Sequence, residues 1–276
     1  MTIRQAYLEL KKYLKNQSEI YQLLEFMTGE DYDWLIYHQD KLIKNEVFYH
    51  DVINALIAEV PVAYIVKNKR FYGLDFMVDQ RVLIPRVETE MLVEEALNWL
   101  GDQQDKTIID LCTGSGNIGI TLNKLTNHQT YLTDISRDAL DVCQINIAKH
   151  QLKNIKLLQG DLLTPLIQNK IKGDLIVCNP PYIEHSDDHV GASTKYEPQN
   201  ALYADDQGLK FYREMFAHFQ KIINDHNNFC LIMEFGFAQK DAIEKLVFEF
   251  IDYKKITHKF LKDASNNWRC IIIKTI

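Results

Sequence analysis

Apolar and polar positions follow three successive patterns along the chain. Over residues 1–60, "RQAYLELKKYL", "SEIYQLLEFM" and "EVFYHDVINALIAEV" place Leu, Ile, Val and aromatic residues at three-to-four spacing, which puts them on one face of a helix. Pro61 follows; its ring removes a donor and crowds the preceding turn, so the last helix stops there. The spacing predicts a small helical domain over residues 1–61. From residue 62 the pattern alternates. "VAYIVKNKRFYGLDFMVDQRVLI" is aromatic and β-branched, with Lys-Asn-Lys and Gly breaks, and predicts one or two hairpins forming a linker over residues 62–85. "PRVETEMLVEEALNWL" then returns to helical spacing, with acids in its first turn where the helix dipole favours them.

From residue 107 short apolar runs alternate with amphipathic stretches. "TIIDLC", "TYLTD", "IKLLQ", "DLIVC" and "FCLIMEF" read as strands. Between and after them, "SGNIGITLNKL", "SRDALDVCQINIAKH", "GLKFYREMFAHFQKII" and "AQKDAIEKLVFEF" read as helices, with Ser136 placed to cap the second. "YKKITHKF" and "WRCIIIKTI" close the chain as a strand pair, and a polar loop covers about 183–205. This alternation predicts an α/β domain over residues 86–276 with a doubly wound, mostly parallel, Rossmann-like sheet. Ligands of such sheets sit beyond the carboxyl ends of the strands, near the switch point.

Composition narrows the function. The net charge of −7 argues against a protein held to nucleic acid mainly through phosphates, and predicts no stable nucleic-acid partner. The five cysteines include no C-x-x-C pair and sit in apolar runs, which predicts free thiols in a reducing cytoplasm and no zinc site. The opening "MTIRQAYLELKKYLK" lacks a signal-peptide apolar core, and no apolar run is long enough to span a bilayer. A cytoplasmic protein without membrane contact is expected.

"DLCTGSGNIG" supplies Gly114, Gly116 and Gly119 between a strand and a helix, and Asp134 ends the next strand. Glycines let a backbone approach a ligand, and a carboxylate accepts hydrogen bonds from two ribose hydroxyls. The loop alone fits either a dinucleotide or S-adenosylmethionine. Asp110 tips the reading toward the methyl donor: beside pyrophosphate it would repel, whereas beside a cationic amino group it would attract. A turn or helix-capping role for Asp110 stays open.

The strand "DLIVC" ends in Asn179, Pro180, Pro181 and Tyr182. A planar NH₂ on a carbonyl or a ring is a poor nucleophile because its lone pair is delocalised. Two fixed acceptors, the Asn179 side-chain oxygen and the Pro180 carbonyl, would hold both N–H bonds and aim the nitrogen at a sulfonium methyl. The proline rings limit φ before substrate arrives, and the Tyr182 ring can pack on the flat substrate group. Such a site names an amide or amino nitrogen without choosing between them.

These motifs resemble the release-factor glutamine N5-methyltransferases (the PrmC/HemK family). The resemblance covers essentially the whole chain, through "RFYGLDFMVDQRVLIPRVETE", "DLCTGSGNIGI", "DISRDAL", "QGDLL", "VCNPPYI", "YEPQNAL" and "LIMEFG". It implies a class I S-adenosylmethionine-dependent methyltransferase fold. It also implies methyl transfer to the GGQ glutamine of class 1 peptide release factors, with the N-terminal domain recognising the partner; a monomer is expected. The donor loop then falls on Cys112, Thr113, Gly114, Ser115 and Gly116, and the ribose acid on Asp134. Leu162 takes the adenine-flanking position, with Asp161 accepting from the adenine amino group. Asn179 joins the donor site, and Asn179 to Tyr182 form the substrate clamp. Arg86 and Thr89 face the donor's methionine end, the alternative for Arg86 being an ion pair with Glu88 or Glu90. The family has glycine in place of Cys112, proline in place of Val87, and a fuller Asp–Gly–Arg pattern than "DASNNWRC". With a β-carbon at Cys112, the loop is expected to keep φ negative there.

The competing reading is a nucleic-acid adenine-N6 or cytosine-N4 methyltransferase, which has the same use for Asn-Pro-Pro-Tyr but must extract a base. A non-catalytic adaptor and a nicotinamide dehydrogenase stand further off. Glu184, His185, Asp187, Asp188 and His189 make either a solvated loop or a metal site; no metal is expected. Cys178 is read as strand packing.

Overall fold

The computed structural model describes residues 1–43, 46–186, 191–226, 228–251 and 256–275. They form two compact units, which divide at Asn68 and Lys69.

The first unit is helical: α1 (Ile3–Leu10), α2 (Gln17–Thr28), α3 (Tyr32–Tyr37), α4 (Glu46–Ile57) and α5 (Val62–Ile65). Local chemistry sets the ends. Thr2 and Gln5 form a capping box, each side chain accepting the other's backbone N–H. Asn16 caps α2, which ends at Gly29 with φ 76°. Asp31 caps α3 by accepting the Trp34 N–H at 2.8 Å. At six residues, α3 is too short to show a periodicity, and the sequence pattern missed it. The fully buried Leu10, Ile20, Leu23, Leu24 and Leu35 form the unit's core. Residues 191–196 group with this unit. There Lys195 Nζ lies 2.8 Å from Glu59, and the Tyr196 hydroxyl donates to the Ala58 carbonyl.

The alternating stretch after Pro61 is only partly β. "VAYI" is α5, because the Pro61 carbonyl accepts the Tyr64 and Ile65 N–H groups and starts a helical turn. One short antiparallel hairpin follows, β1 (Lys69–Phe71) and β2 (Leu74–Phe76). It groups with the larger unit. "MVDQRVLI" forms no strand. The Met77 N–H and C=O are taken by the Asn146 amide, at 2.7 and 3.0 Å, and Asp79 folds Arg81 back on itself.

The larger unit continues through α6 (Glu90–Leu100), β3 (Thr107–Leu111), α7 (Asn117–Thr126), β4 (Gln129–Asp134), α8 (Arg137–Lys149) and β5 (Ile155–Gln159). Next come α9 (Thr164–Gln168), β6 (Leu175–Cys178), α10 (Gln199–Leu202), α11 (Lys210–His218), β7 (Cys230–Glu234), α12 (Lys240–Phe250), β8 (Ile256–Lys262) and β9 (Trp268–Thr275). Ser136 caps α8 as expected. The sheet order is β5-β4-β3-β6-β7-β9-β8, with β9 antiparallel to both β7 and β8 and the other neighbouring pairs parallel. Ile109 and Leu111 face one core with Ile176, Met233, Tyr212, Phe216 and Val247. Burying each such side chain contributes about 1.5–3 kcal/mol. Strand order reverses between β3 and β6, so the connections that leave their carboxyl ends diverge there and a crevice forms. The glycine loop leaves β3 at that point, and Asn179 leaves β6.

Candidate active site

The loop after β3 turns through left-handed backbone. Cys112, Gly114 and Gly116 have φ of 55°, 54° and 84°. The expected negative φ at Cys112 is therefore wrong: the left-handed turn is kept despite the β-carbon, at a steric cost of about 1–2 kcal/mol. Asp110 holds the turn from beneath. Its Oδ2 accepts the Thr113 hydroxyl at 2.6 Å and the Gly119 N–H at 2.9 Å, and the side chain is fully buried. That is the capping role rather than contact with a donor ammonium. Burial pushes the Asp110 carboxyl up to about 7. Gly119 lets α7 press on the sheet: a β-carbon there would lie 2.1 Å from Leu132 Cδ2 and 2.9 Å from Asp110 Oδ2. Gly119→Ala is expected to cost about 1–3 kcal/mol, read as a lower urea midpoint. An unchanged midpoint would mean α7 slides freely over β4.

Asp134 sits half-buried at the end of β4. One carboxylate oxygen accepts the Gly114 N–H and the other the Ser136 N–H, both at 2.9 Å. Each oxygen keeps a lone pair. Burial, opposed by those backbone bonds, raises the carboxyl above its usual range. A cavity of about 220 Å³ opens here, bounded by Cys112, Gly114, Asp134, Asp161, Leu162 and Asn179. Leu162 is buried with φ 42°, and Asp161 is exposed on the rim. A second chamber adjoins it, bounded by Arg86, Thr89, Thr113, Ser115 and Asn117, and it shares Cys112, Gly114 and Asn179 with the first. Gly116 is not on either wall; it turns the backbone into α7.

At the end of β6, Asn179 Nδ2 donates to Thr89 Oγ1 at 3.2 Å. This leaves Asn179 Oδ1 free to accept. No donor among the described residues takes the Pro180 carbonyl. Pro180 and Pro181 are buried, so the acceptor pair is held rigidly. Tyr182 is anchored at both ends: its carbonyl accepts from Gln239 at 3.0 Å, and its hydroxyl donates to Glu234 Oε1 at 3.1 Å. Burial pushes the Tyr182 phenol far up, so it stays a donor. Thr89 Oγ1 donates to Glu234 Oε2 at 2.6 Å. Cys178 is fully buried in the core, and burial raises its thiol well above the ordinary range, consistent with packing.

One expectation needs correction. Arg86 pairs with neither Glu88 nor Glu90; it reaches Glu197 Oε1, while Glu197 Oε2 accepts the Ile84 N–H at 3.0 Å. Glu197, in "YEPQNAL", thus ties that segment to the turn before α6. Thr89 borders the small chamber, but its hydroxyl is committed to Glu234. The partial "DASNNWRC" pattern still places Asp263 Oδ2 3.0 Å from Arg269 Nε, and Asn266 takes left-handed backbone at φ 64°. Glu184 and His185 are exposed; Asp187, Asp188 and His189 lie outside the described residues. Among the described residues no cluster of three or more His, Cys, Asp or Glu could hold a metal, and no helix is long and apolar enough to cross a membrane. Glu234, Gln239, Glu197 and Asn146 were missed as site supports. Each makes at least one of its contacts across 50 or more residues of chain, and spacing does not reveal such partners.

A walled cavity bordered by Asn179, whose side-chain oxygen is idle, suits a methyl donor meeting a planar NH₂. Residues 88–201 match the methyltransferase small domain family. The fold is shared with the ribosomal protein L11 methylase of Lactobacillus delbrueckii subsp. bulgaricus, at TM-score 0.52 and 20% identity over 72% of this chain and 83% of that one. It is also shared with SMU.776, a putative methyltransferase complexed with SAH, at TM-score 0.55 and 14% identity over 76% and 56%. The larger unit therefore has the fold of the class I S-adenosylmethionine-dependent methyltransferases. Curated relatives narrow the class. The chain is 38% identical to the release factor glutamine methyltransferase of Mycoplasma mycoides subsp. mycoides SC over 94% of its own length and 93% of that protein's. It is 31% identical to that of Streptococcus pneumoniae over 99% and 98%. It is also 40% identical to the ribosomal protein uL3 glutamine methyltransferase of Francisella tularensis, over 67% and 59%. The chain belongs to the release factor glutamine methyltransferases.

Proposed function

We propose that this protein methylates the side-chain N5 of the GGQ glutamine in class 1 peptide release factors, acting as a cytoplasmic monomer without a nucleic-acid or membrane partner. The observation that carries the reading is Asn179, which borders both chambers with its Oδ1 free to accept and is followed directly by Pro180, whose carbonyl takes no donor among the described residues. A primary amide has two N–H bonds and fills both acceptors.

S-adenosylmethionine supplies an electrophilic methyl when bound. The residues present fit it. Asp134 retains lone pairs for two ribose hydroxyls, Leu162 and Asp161 border the adenosine-sized cavity, and Gly114 and Ser115 border the small chamber. On the substrate side, Asn179 Oδ1 and the Pro180 carbonyl hold the amide so that its nitrogen points at the donor. As that nitrogen gains positive charge both acceptors bind it more strongly, which favours the transition state over the ground state. The Tyr182 ring flanks the amide plane. The helical N-terminal domain recognises the release factor.

The test is transfer of labelled methyl to purified release factor, to its GGQ Gln→Ala form, to ribosomal protein uL3 and to duplex DNA. Label on the release factor alone, lost with Gln→Ala, is expected. Label retained on the Ala form would overturn the proposal. Preferential label on uL3 would move the substrate to another protein glutamine, and label on DNA would restore the base-methylation reading.

A further inference from the structure

We propose that Glu234 is a positioning residue that fixes which face of the Asn179 amide meets the substrate, by dictating the direction of the hydrogen-bond chain between them. The inference rests on the clamp reading above.

The chain runs Asn179, Thr89, Glu234. An ionised carboxylate only accepts hydrogen bonds. Thr89 Oγ1, 2.6 Å from Glu234 Oε2, must therefore give that carboxylate its single hydrogen. A hydroxyl whose hydrogen is used can only accept from its other neighbour. That neighbour is Asn179, at 3.2 Å, so the Asn179 NH₂ must face Thr89. The amide oxygen is then forced to the side away from Thr89; Asn179 borders the larger cavity, which Thr89 does not line. A neutral group at position 234 removes the constraint. It could donate to Thr89, Thr89 could donate to Asn179, and the Asn179 amide would turn its NH₂ outward. Donors would then face the donors of the substrate amide. A negative charge buried behind the site thus acts two residues away, without touching substrate. The same carboxylate holds Tyr182, whose hydroxyl reaches Glu234 Oε1 at 3.1 Å. One group therefore registers both ends of the clamp.

The surroundings support an ionised but titratable carboxylate. Burial raises its pKa; the hydrogen bonds from Thr89 and Tyr182 and the nearby Arg269 of β9 pull it back down, and Glu88 before α6 pushes it up. Tyr212 of α11 donates to the Glu234 backbone carbonyl at 2.7 Å, and Cys270 of β9 stands opposite Glu234 in the register. Protonating Glu234 inverts the chain. Activity should therefore fall as pH drops through a value above the usual carboxylate range. Asp110, held at about 7 beneath the glycine loop, titrates as well, but its effect is read in donor affinity rather than in kcat at saturating donor.

The experiment measures kcat against pH at saturating donor, with donor affinity by calorimetry, for the wild type and for Glu234→Gln, Thr89→Val, Thr89→Ser, Tyr182→Phe and Asn179→Ala. In Glu234→Gln, kcat is expected to fall about 10- to 30-fold, the effect of one inverted hydrogen bond in part of the population. Donor affinity stays within about twofold, and the acid limb of kcat disappears. Thr89→Val should lose the same limb, and Thr89→Ser should restore it. Tyr182→Phe should keep the limb and move it to higher pH, since one donor to the carboxylate is gone. The inference is overturned if Glu234→Gln keeps wild-type kcat, or keeps the acid limb, while Asn179→Ala is inactive. If Glu234→Gln does not bind donor, the Val and Ser variants of Thr89 decide the matter: equal limbs in both would overturn it. An active Asn179→Ala would instead bring down the clamp reading itself.

Discussion

Asn179→Ala is expected to lower kcat by about 10²- to 10³-fold, the loss typical when one preorganised partner of a developing charge is removed. Donor affinity should stay within about threefold by calorimetry. Both halves of the expectation come from geometry. Asn179 borders the donor chambers, but the structure gives it a single hydrogen bond, from Nδ2 to Thr89. Its oxygen is unused until a substrate amide arrives. Alanine removes that acceptor and leaves the Pro180 carbonyl holding one N–H. The amide can then rotate about the remaining bond, and the nitrogen no longer points reliably at the methyl. The glycine loop, Asp134 and Leu162 do not depend on Asn179 for any hydrogen bond, so the donor should bind nearly as before. A donor affinity that fell in step with kcat would place Asn179 in the cofactor site, not the clamp.

What the sequence revealed and what it hid follow one division. Groups that act through the local chain were legible. The alternation from Thr107 onward gave every strand of the sheet. The cap at Ser136 was visible because capping spans three residues. The end of β6 before Asn179 was visible because two prolines follow it. Conformations imposed from a distance were not legible. "MVDQRVLI" has strand-like residues, but the Asn146 amide, 69 positions from Met77, takes the bonds a partner strand would have made. Cys112 was expected to avoid left-handed backbone on steric grounds. Yet Asp110 anchors both Thr113 and Gly119, and Asp134 anchors Gly114, so the turn is determined by its surroundings and Cys112 conforms. Arg86 lay among acids in sequence but pairs with Glu197, 111 residues away. Glu234 reads as one polar residue in an apolar strand, and only the fold brings it beneath Thr89 and Tyr182.

The division also separates Asp134→Ala from the clamp variants. This change is expected to weaken donor binding by about 10²-fold or more, because two charge-assisted hydrogen bonds to ribose are lost at about 1.5–3 kcal/mol each in gross terms. A second loss compounds the first. Asp134 accepts the Gly114 and Ser136 N–H groups, so alanine frees the loop as well as the ribose contact. Gly114 has φ of 54°, a conformation glycine leaves easily once its N–H has no acceptor. Asp134→Asn tells the two effects apart. An asparagine oxygen can keep the Gly114 N–H, but its NH₂ meets the Ser136 N–H as a second donor. Its affinity should fall between those of the wild type and the alanine variant. At saturating donor, kcat should recover to within about threefold of wild type in both variants, since neither touches Asn179 or Pro180. Unchanged donor affinity in Asp134→Ala would mean that the ribose lies elsewhere. A kcat that stayed low at saturation would mean that the glycine loop sets the methyl's position as well as its occupancy.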